Sequence, residues 1–118
     1  MQDILLEVNL AGEESKSGFS PREAVEAAEK AAVLSHVRLR GLMCIPTIST
    51  RRGENLPYFE ALRDLAVDIR QKIVDNDMDT LSMGMSGDWQ DAVAAGSTCI
   101  RVGSALFGPR PPVSRKDQ

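Results

Sequence analysis

The sequence predicts an α/β fold built on a parallel sheet, and two observations carry that expectation. Four short apolar runs recur along the 118 residues, Ile4 to Leu10, Val37 to Cys44, Thr80 to Met83 and Thr98 to Val102. Stretches of helical period separate them, so the order reads βαβαβαβ with a short helix at the end, the alternation of strands joined by helical crossovers. Composition agrees, since 42% apolar and 26% charged residues are near globular averages and the length suits one domain with a single core.

The elements follow in order. The first strand is expected at Ile4 to Leu10. For the first helix, Ser20 can cap, Pro21 sits where a missing N–H costs nothing, and Glu23 completes an S-x-x-E box. Ala24, Ala27, Ala28 and Ala31 then form one small apolar stripe that allows close packing on a sheet. After the second strand, Pro46 to Leu56 forms the longest polar loop inside the domain and leaves the C-terminal end of a strand. The second helix begins near Pro57 and puts Phe59, Leu62, Leu65, Ala66, Ile69 and Ile73 on one face. The third runs from a cap at Ser86 through Trp89, Ala92 and Val93 to Gly96, which suits a left-handed stop. Residues 1–108 make the domain, and 109–118, with three prolines and Arg110, Arg115 and Lys116, form a polar tail outside the packed core.

Several function classes drop out. A net charge of −3 with no basic cluster argues against nucleic acid as the main partner. No run of 18 apolar residues exists, and Met1 is followed by Gln2 and Asp3, so neither a membrane span nor a signal peptide is encoded and the cytoplasm is the default compartment. Cys44 and Cys99 lack paired C-x-x-C spacing and are expected to be buried strand thiols. His36 is the lone histidine, expected on a surface loop, and no metal site is supplied.

In parallel α/β folds the ligand approaches the C-terminal ends of the strands. That brings together Asn9 to Gly18, Met43 to Thr47, Ser82 to Asp88 and Arg101 to Gly108. In S-M-G-M-S-G-D-W, Gly84 is expected at the turn and Ser86 at a helix start, which reads either as an anion cradle or as a plain helix cap. R-V-G-S-A-L-F-G repeats the pattern one strand later with Gly103 and Ser104. Two glycine-serine turns on consecutive final strands match the phosphate site that barrel enzymes build beside a short extra helix. Alternation puts Cys99, Arg101 and Gly103 on one strand face. If that face lines an interior, the Arg101 guanidinium needs either an ion-pair partner or a ligand. Lys16, beside Glu13 and Glu14, reads as a solvated loop lysine or as a contact to that phosphate. Asn9 is placed to line the same end.

Five motifs in order, V-N-L-A-G-E-E-S-K-S-G at 8–18, L-R-G-L-M-C-I-P at 39–46, L-S-M-G-M-S-G-D at 81–88, A-A-G-S-T at 94–98 and R-V-G-S-A-L-F-G at 101–108, resemble the pyridoxal 5′-phosphate homeostasis proteins. This YggS-like family has the barrel of the alanine racemase N-terminal domain. The resemblance implies a (β/α)8 TIM-barrel fold of which this chain carries strands five to eight, a half-barrel without the segment that holds the family's Schiff-base lysine. Such a half exposes two strand edges and an inner face, so the expectation is a piece of a longer protein or a sheet completed by a second chain. Met1, three residues before a strand, fits a cut or misplaced start.

Carried over from the family, Ser86 with Met85 in the G-M-S turn and Gly103 with Ser104 hold the cofactor phosphate, and Arg101 faces the pyridine nitrogen. A permanently charged arginine there disfavours ring protonation and so weakens the electron sink. The resemblance therefore implies binding of pyridoxal phosphate and its delivery to apo-enzymes, with at most weak catalysis and no catalytic residue. The alternatives are a fragment of a pyridoxal phosphate-dependent racemase or decarboxylase, and a phosphate-binding barrel unrelated to pyridoxal.

Overall fold

Alternating apolar runs and periodic stretches become β1 (Gln2–Glu7), α1 (Pro21–Ala32), β2 (Val37–Met43), α2 (Leu56–Lys72), β3 (Thr80–Met85), α3 (Trp89–Ala94) and β4 (Cys99–Arg101). The structure is a computed structural model that describes residues 1–12, 17–46, 51–73 and 77–103. Lys16, residues 47–50 of the long loop, Ser104 with the expected terminal helix, and the 109–118 tail lie outside the described residues. The four described strands form one sheet in the order β1-β2-β3-β4, and every pairing is parallel.

Consecutive right-handed crossovers in that order put the helices on one side of the sheet. The register bears this out. Leu6, Leu42 and Leu81 are cross-strand neighbours, and all three join the core beneath the helices. That core is filled by Phe59, Leu62 and Ile69 from α2, by the Ala24, Ala28 and Ala31 stripe of α1, and by Met83 and Ala92 near α3. The alternate row, Glu7, Met43, Ser82 and Cys99, crosses all four strands on the opposite face. Leu5, one row below, is 38% exposed and Met85, at the top, is 43% exposed. Cys99 is therefore exposed rather than buried as expected, because its row faces away from the helices. Cys44 is buried, one residue beyond the end of β2, and its N–H still donates to the Ser82 carbonyl at 3.2 Å.

Local signals account for the helix ends. Ser20 accepts from the Glu23 N–H at 3.2 Å and Glu23 accepts from the Ser20 N–H at 3.0 Å, a complete capping box. At the C-terminus of α3, Gly96 has φ +105°; its N–H donates to the Val93 carbonyl and the Ser97 N–H to the Ala92 carbonyl, the paired bonds of a Schellman stop. The expected start of α3 is corrected. The helix begins at Trp89 with Asp88 at the N-cap, and Ser86 sits in the turn before it. That turn is closed by the Asp88 N–H donating to the Met85 carbonyl at 3.2 Å, which uses up the residues a cap at Ser86 would have placed in the helix.

The N-terminal end of the sheet carries the charges. Arg40 donates to both oxygens of Asp79, at 2.6 and 3.2 Å, and to Asp3 at 3.2 Å, while Arg38 lies near Asp3 and Asp77. In barrel folds that end serves stability, not chemistry. No helix among the described residues is long and apolar enough to cross a membrane.

Candidate functional site

Two residues on β3 are skipped by the ladder to β4. Ser82 pairs with Cys99, but the next partners are Met85 and Arg101, so one extra residue of β3 is accommodated between them. Regular pairing would have set Gly84 opposite Arg101 and sent Met85 toward the helices; the bulge turns Met85 onto the open face beside Arg101. Gly84 makes this possible. It adopts φ +105°, and a Cβ there would fall 2.7 Å from the Ala92 Cβ and 3.1 Å from the Ile100 Cγ2. The sequence placed this glycine in a turn, whereas it lies inside the strand.

Arg101 crosses the top of the sheet. Its Nη2 donates to the Cys44 carbonyl at 3.0 Å, past β3, and lies 3.5 Å from the Ser82 carbonyl. Its Nε is buried and finds no acceptor among the described residues. Of the two readings left open by the sequence, an ion pair is not formed: no carboxylate among the described residues pairs with this guanidinium.

Ser86 is half-buried in the turn that follows Met85, and Gly103, the last described residue, is exposed, with no atom of the described residues within 4 Å of where a Cβ would stand. Met85 and Arg101 are brought together, with Ser86 next in sequence to the first and Gly103 two residues beyond the second. Asn9 closes its own loop by accepting from the Gly12 N–H at 3.2 Å. His36 is exposed, and no group of three or more His, Cys, Asp or Glu among the described residues is arranged to hold a metal ion.

Three residues emerge that sequence reasoning gave no role. Asp88 is buried; Oδ1 accepts from the Met85 N–H at 2.8 Å and Oδ2 from Asn55 Nδ2 at 2.7 Å. Asn55 is 2% exposed, and Asp91, also buried, accepts from the Gly53 N–H at 2.6 Å. The only hint was an acid in an otherwise small and apolar turn. Asn55 read as ordinary loop polarity ahead of a helix.

Electrostatics beside this turn are uneven. Burial pushes the Cys44 thiol up to about 12, the Arg101 guanidinium opposing the rise and the Asp88 carboxylate adding to it. A raised folded value means the neutral thiol's stabilisation is whole below its ordinary value of 9.0 and is lost as pH climbs from there toward 12. At pH 8 a thiol reagent is expected to label Cys99 in the folded chain and Cys44 only on unfolding. Between pH 9 and 11 the parent is expected to lose stability with rising pH more steeply than Cys44→Ala. Equal labelling of both thiols, read by mass spectrometry, would contradict this.

The alanine racemase N-terminal domain family model matches residues 1–111. Proteins named pyridoxal phosphate homeostasis protein are similar: that of Vibrio cholerae is 45% identical over 107 residues, covering 91% of this chain and 44% of its own, and that of Haemophilus influenzae is 39% identical over 108, covering 92% and 46%. Among solved structures, PipY of Synechococcus elongatus with PLP bound superposes with a TM-score of 0.80 at 35% identity, covering 90% of this chain and 49% of that one. PipY without PLP gives 0.82 at 36% identity. This chain spans less than half the length of these relatives, and the fold is of the TIM-barrel α/β type.

Proposed function

The chain belongs to the alanine racemase N-terminal domain family, and on that premise we propose that it binds pyridoxal 5′-phosphate and takes part in keeping and delivering that cofactor rather than in amino-acid turnover. The observation that carries the reading is the unsatisfied Nε of Arg101. A buried N–H donor without an acceptor costs about 1–3 kcal/mol, and an unprotonated pyridine nitrogen is an acceptor of the kind it lacks. The residues therefore fit the group.

In this reading Arg101 meets the ring nitrogen, while Ser86 and the backbone after Met85, with Gly103 and Ser104 from the next turn, hold the phosphate. When bound, pyridoxal phosphate supplies an electron sink for charge developing on an amino acid. Arg101, always protonated, disfavours a proton on the ring nitrogen and so keeps that sink weak. No catalytic residue is assigned. The relatives' names and the PLP in PipY support the ligand and the homeostasis role; delivery to apo-enzymes, in a cytoplasmic setting, is the part they leave to experiment.

The four parallel strands are read as strands five to eight of an eight-stranded barrel, a half-barrel domain over 1–108 with a polar tail at 109–118. The open face that carries Leu5, Met43, Met85 and Cys99 then becomes the barrel interior once four more strands, from a further segment or a second chain, pair with β1 and β4.

Thermal-shift titration of the chain tests the ligand. Pyridoxal phosphate at about ten times Kd is expected to raise Tm by about 5 °C. Simple sugar phosphates at the same concentration are expected to do much less. Equal stabilisation by both would remove the ring-specific role of Arg101 and leave a general phosphate site, and turnover of alanine above background would point instead to a racemase.

A further inference from the structure

Asn55 and Asp88 are both residues of the type that caps helices, both stand at N-cap positions, and neither side chain caps its own helix. An N-cap bond is worth about 1 kcal/mol. The two side chains are directed at each other instead, Asn55 Nδ2 donating to Asp88 Oδ2 at 2.7 Å across 33 residues of sequence, with Asn55 2% and Asp88 9% exposed. The other Asp88 oxygen accepts from the Met85 N–H at 2.8 Å while the Asp88 N–H returns to the Met85 carbonyl at 3.2 Å, so the turn through Ser86 and Gly87 is pinned from both sides. A second tie runs alongside, the Gly53 N–H donating to Asp91 Oδ2 at 2.6 Å.

We propose that Asp88 is a positioning residue: with Asn55 it forms a clasp that holds the Met85–Ser86–Gly87 backbone in the shape that receives the cofactor phosphate and couples that turn to the β2–α2 connection. The inference rests on the function proposed above. Asp88 does not touch the phosphate in this scheme, because a carboxylate and a phosphate dianion repel. Its two carboxylate oxygens are instead spent on the Met85 N–H and the Asn55 amide.

The clasp can be inverted without changing shape. In the double variant N55D/D88N the residue at 88 still accepts the Met85 N–H through Oδ1, and its Nδ2 now donates to the carboxylate at 55. N55D alone sets two carboxylates against each other in a buried place. On the full chain, N55D is expected to weaken binding of pyridoxal phosphate by about tenfold or more, with pyridoxal, which lacks the phosphate, changed less than about twofold. The double variant is expected to return within about threefold of the parent. In parallel, NMR amide exchange at Met85 and Gly87 is expected to accelerate at least about tenfold in N55D and to recover in the double variant. N55D binding like the parent, or a folded double variant that recovers neither affinity nor exchange protection, overturns the clasp. If the parent itself does not bind pyridoxal phosphate, the function proposed above fails, and the clasp is decided by the exchange rates alone: uniform exchange across the three proteins overturns it.

Discussion

Gly41→Ala is expected to destroy the folded state or leave it barely populated. Gly41 lies in the middle of β2 opposite Thr80, the first residue of β3. An added Cβ would lie inside the van der Waals envelope of the Thr80 carbonyl oxygen, with the carbonyl carbon 2.6 Å and the Cα 3.1 Å away. All three atoms are backbone, so no side-chain rotation relieves the overlap. The strands would have to part at the one junction that joins the two halves of the sheet, where Leu42 and Leu81 meet in the core directly above. Overpacking that only reshuffles side chains costs about 1–3 kcal/mol. A backbone clash between ladder partners is expected to exceed about 4 kcal/mol, a large fraction of a small domain's stability. Urea denaturation followed by circular dichroism measures it, with Gly103→Ala as the control, since nothing among the described residues stands within 4 Å of a Cβ there. Similar midpoints for parent and Gly41→Ala would mean that β2 and β3 do not approach as described.

What the sequence made legible, and what it hid, divides by range. The start of α1 was readable because Ser20 and Glu23 satisfy each other within a single turn and Pro21 brings no N–H that needs a partner. The stop at Gly96 was readable for the same reason. The start of α3 was not, because Ser86 and Asp88 are both acceptable caps locally and the choice is made by closure of the Met85–Asp88 turn and by Asn55, far away in sequence. Alternation correctly grouped Cys99 with Arg101 on one strand face, but it cannot say which face the helices cover, and the buried environment expected for Cys99 failed on that point. The β3 bulge was equally hidden. Nothing in T-L-S-M-G-M announces an extra residue, yet without it Met85 and Arg101 would not share a face. At the candidate site, then, the residue types were visible, while the geometry that groups them came from contacts between distant segments.

Arg101→Ala is expected to reduce affinity for pyridoxal phosphate by about tenfold to a hundredfold, the range for losing a charge-assisted hydrogen bond. The guanidinium is held across the sheet by the Cys44 carbonyl at 3.0 Å, which fixes its plane and leaves the buried Nε without an acceptor among the described residues. Arg101→Lys keeps the charge but not the planar fork, so it is expected to recover little of the loss. The pattern across ligands separates this role from that of the clasp. If Arg101 meets the ring, pyridoxal phosphate and pyridoxal weaken together in Arg101→Ala while inorganic phosphate changes by less than about threefold. A clasp defect does the reverse, sparing pyridoxal and weakening the phosphate-bearing ligand. Equilibrium dialysis of the three ligands against the parent, Arg101→Ala and N55D resolves the two contributions. An Arg101→Ala protein that loses inorganic phosphate as fully as pyridoxal phosphate would make the guanidinium a phosphate contact, and the unsatisfied donor above β3 would need another explanation.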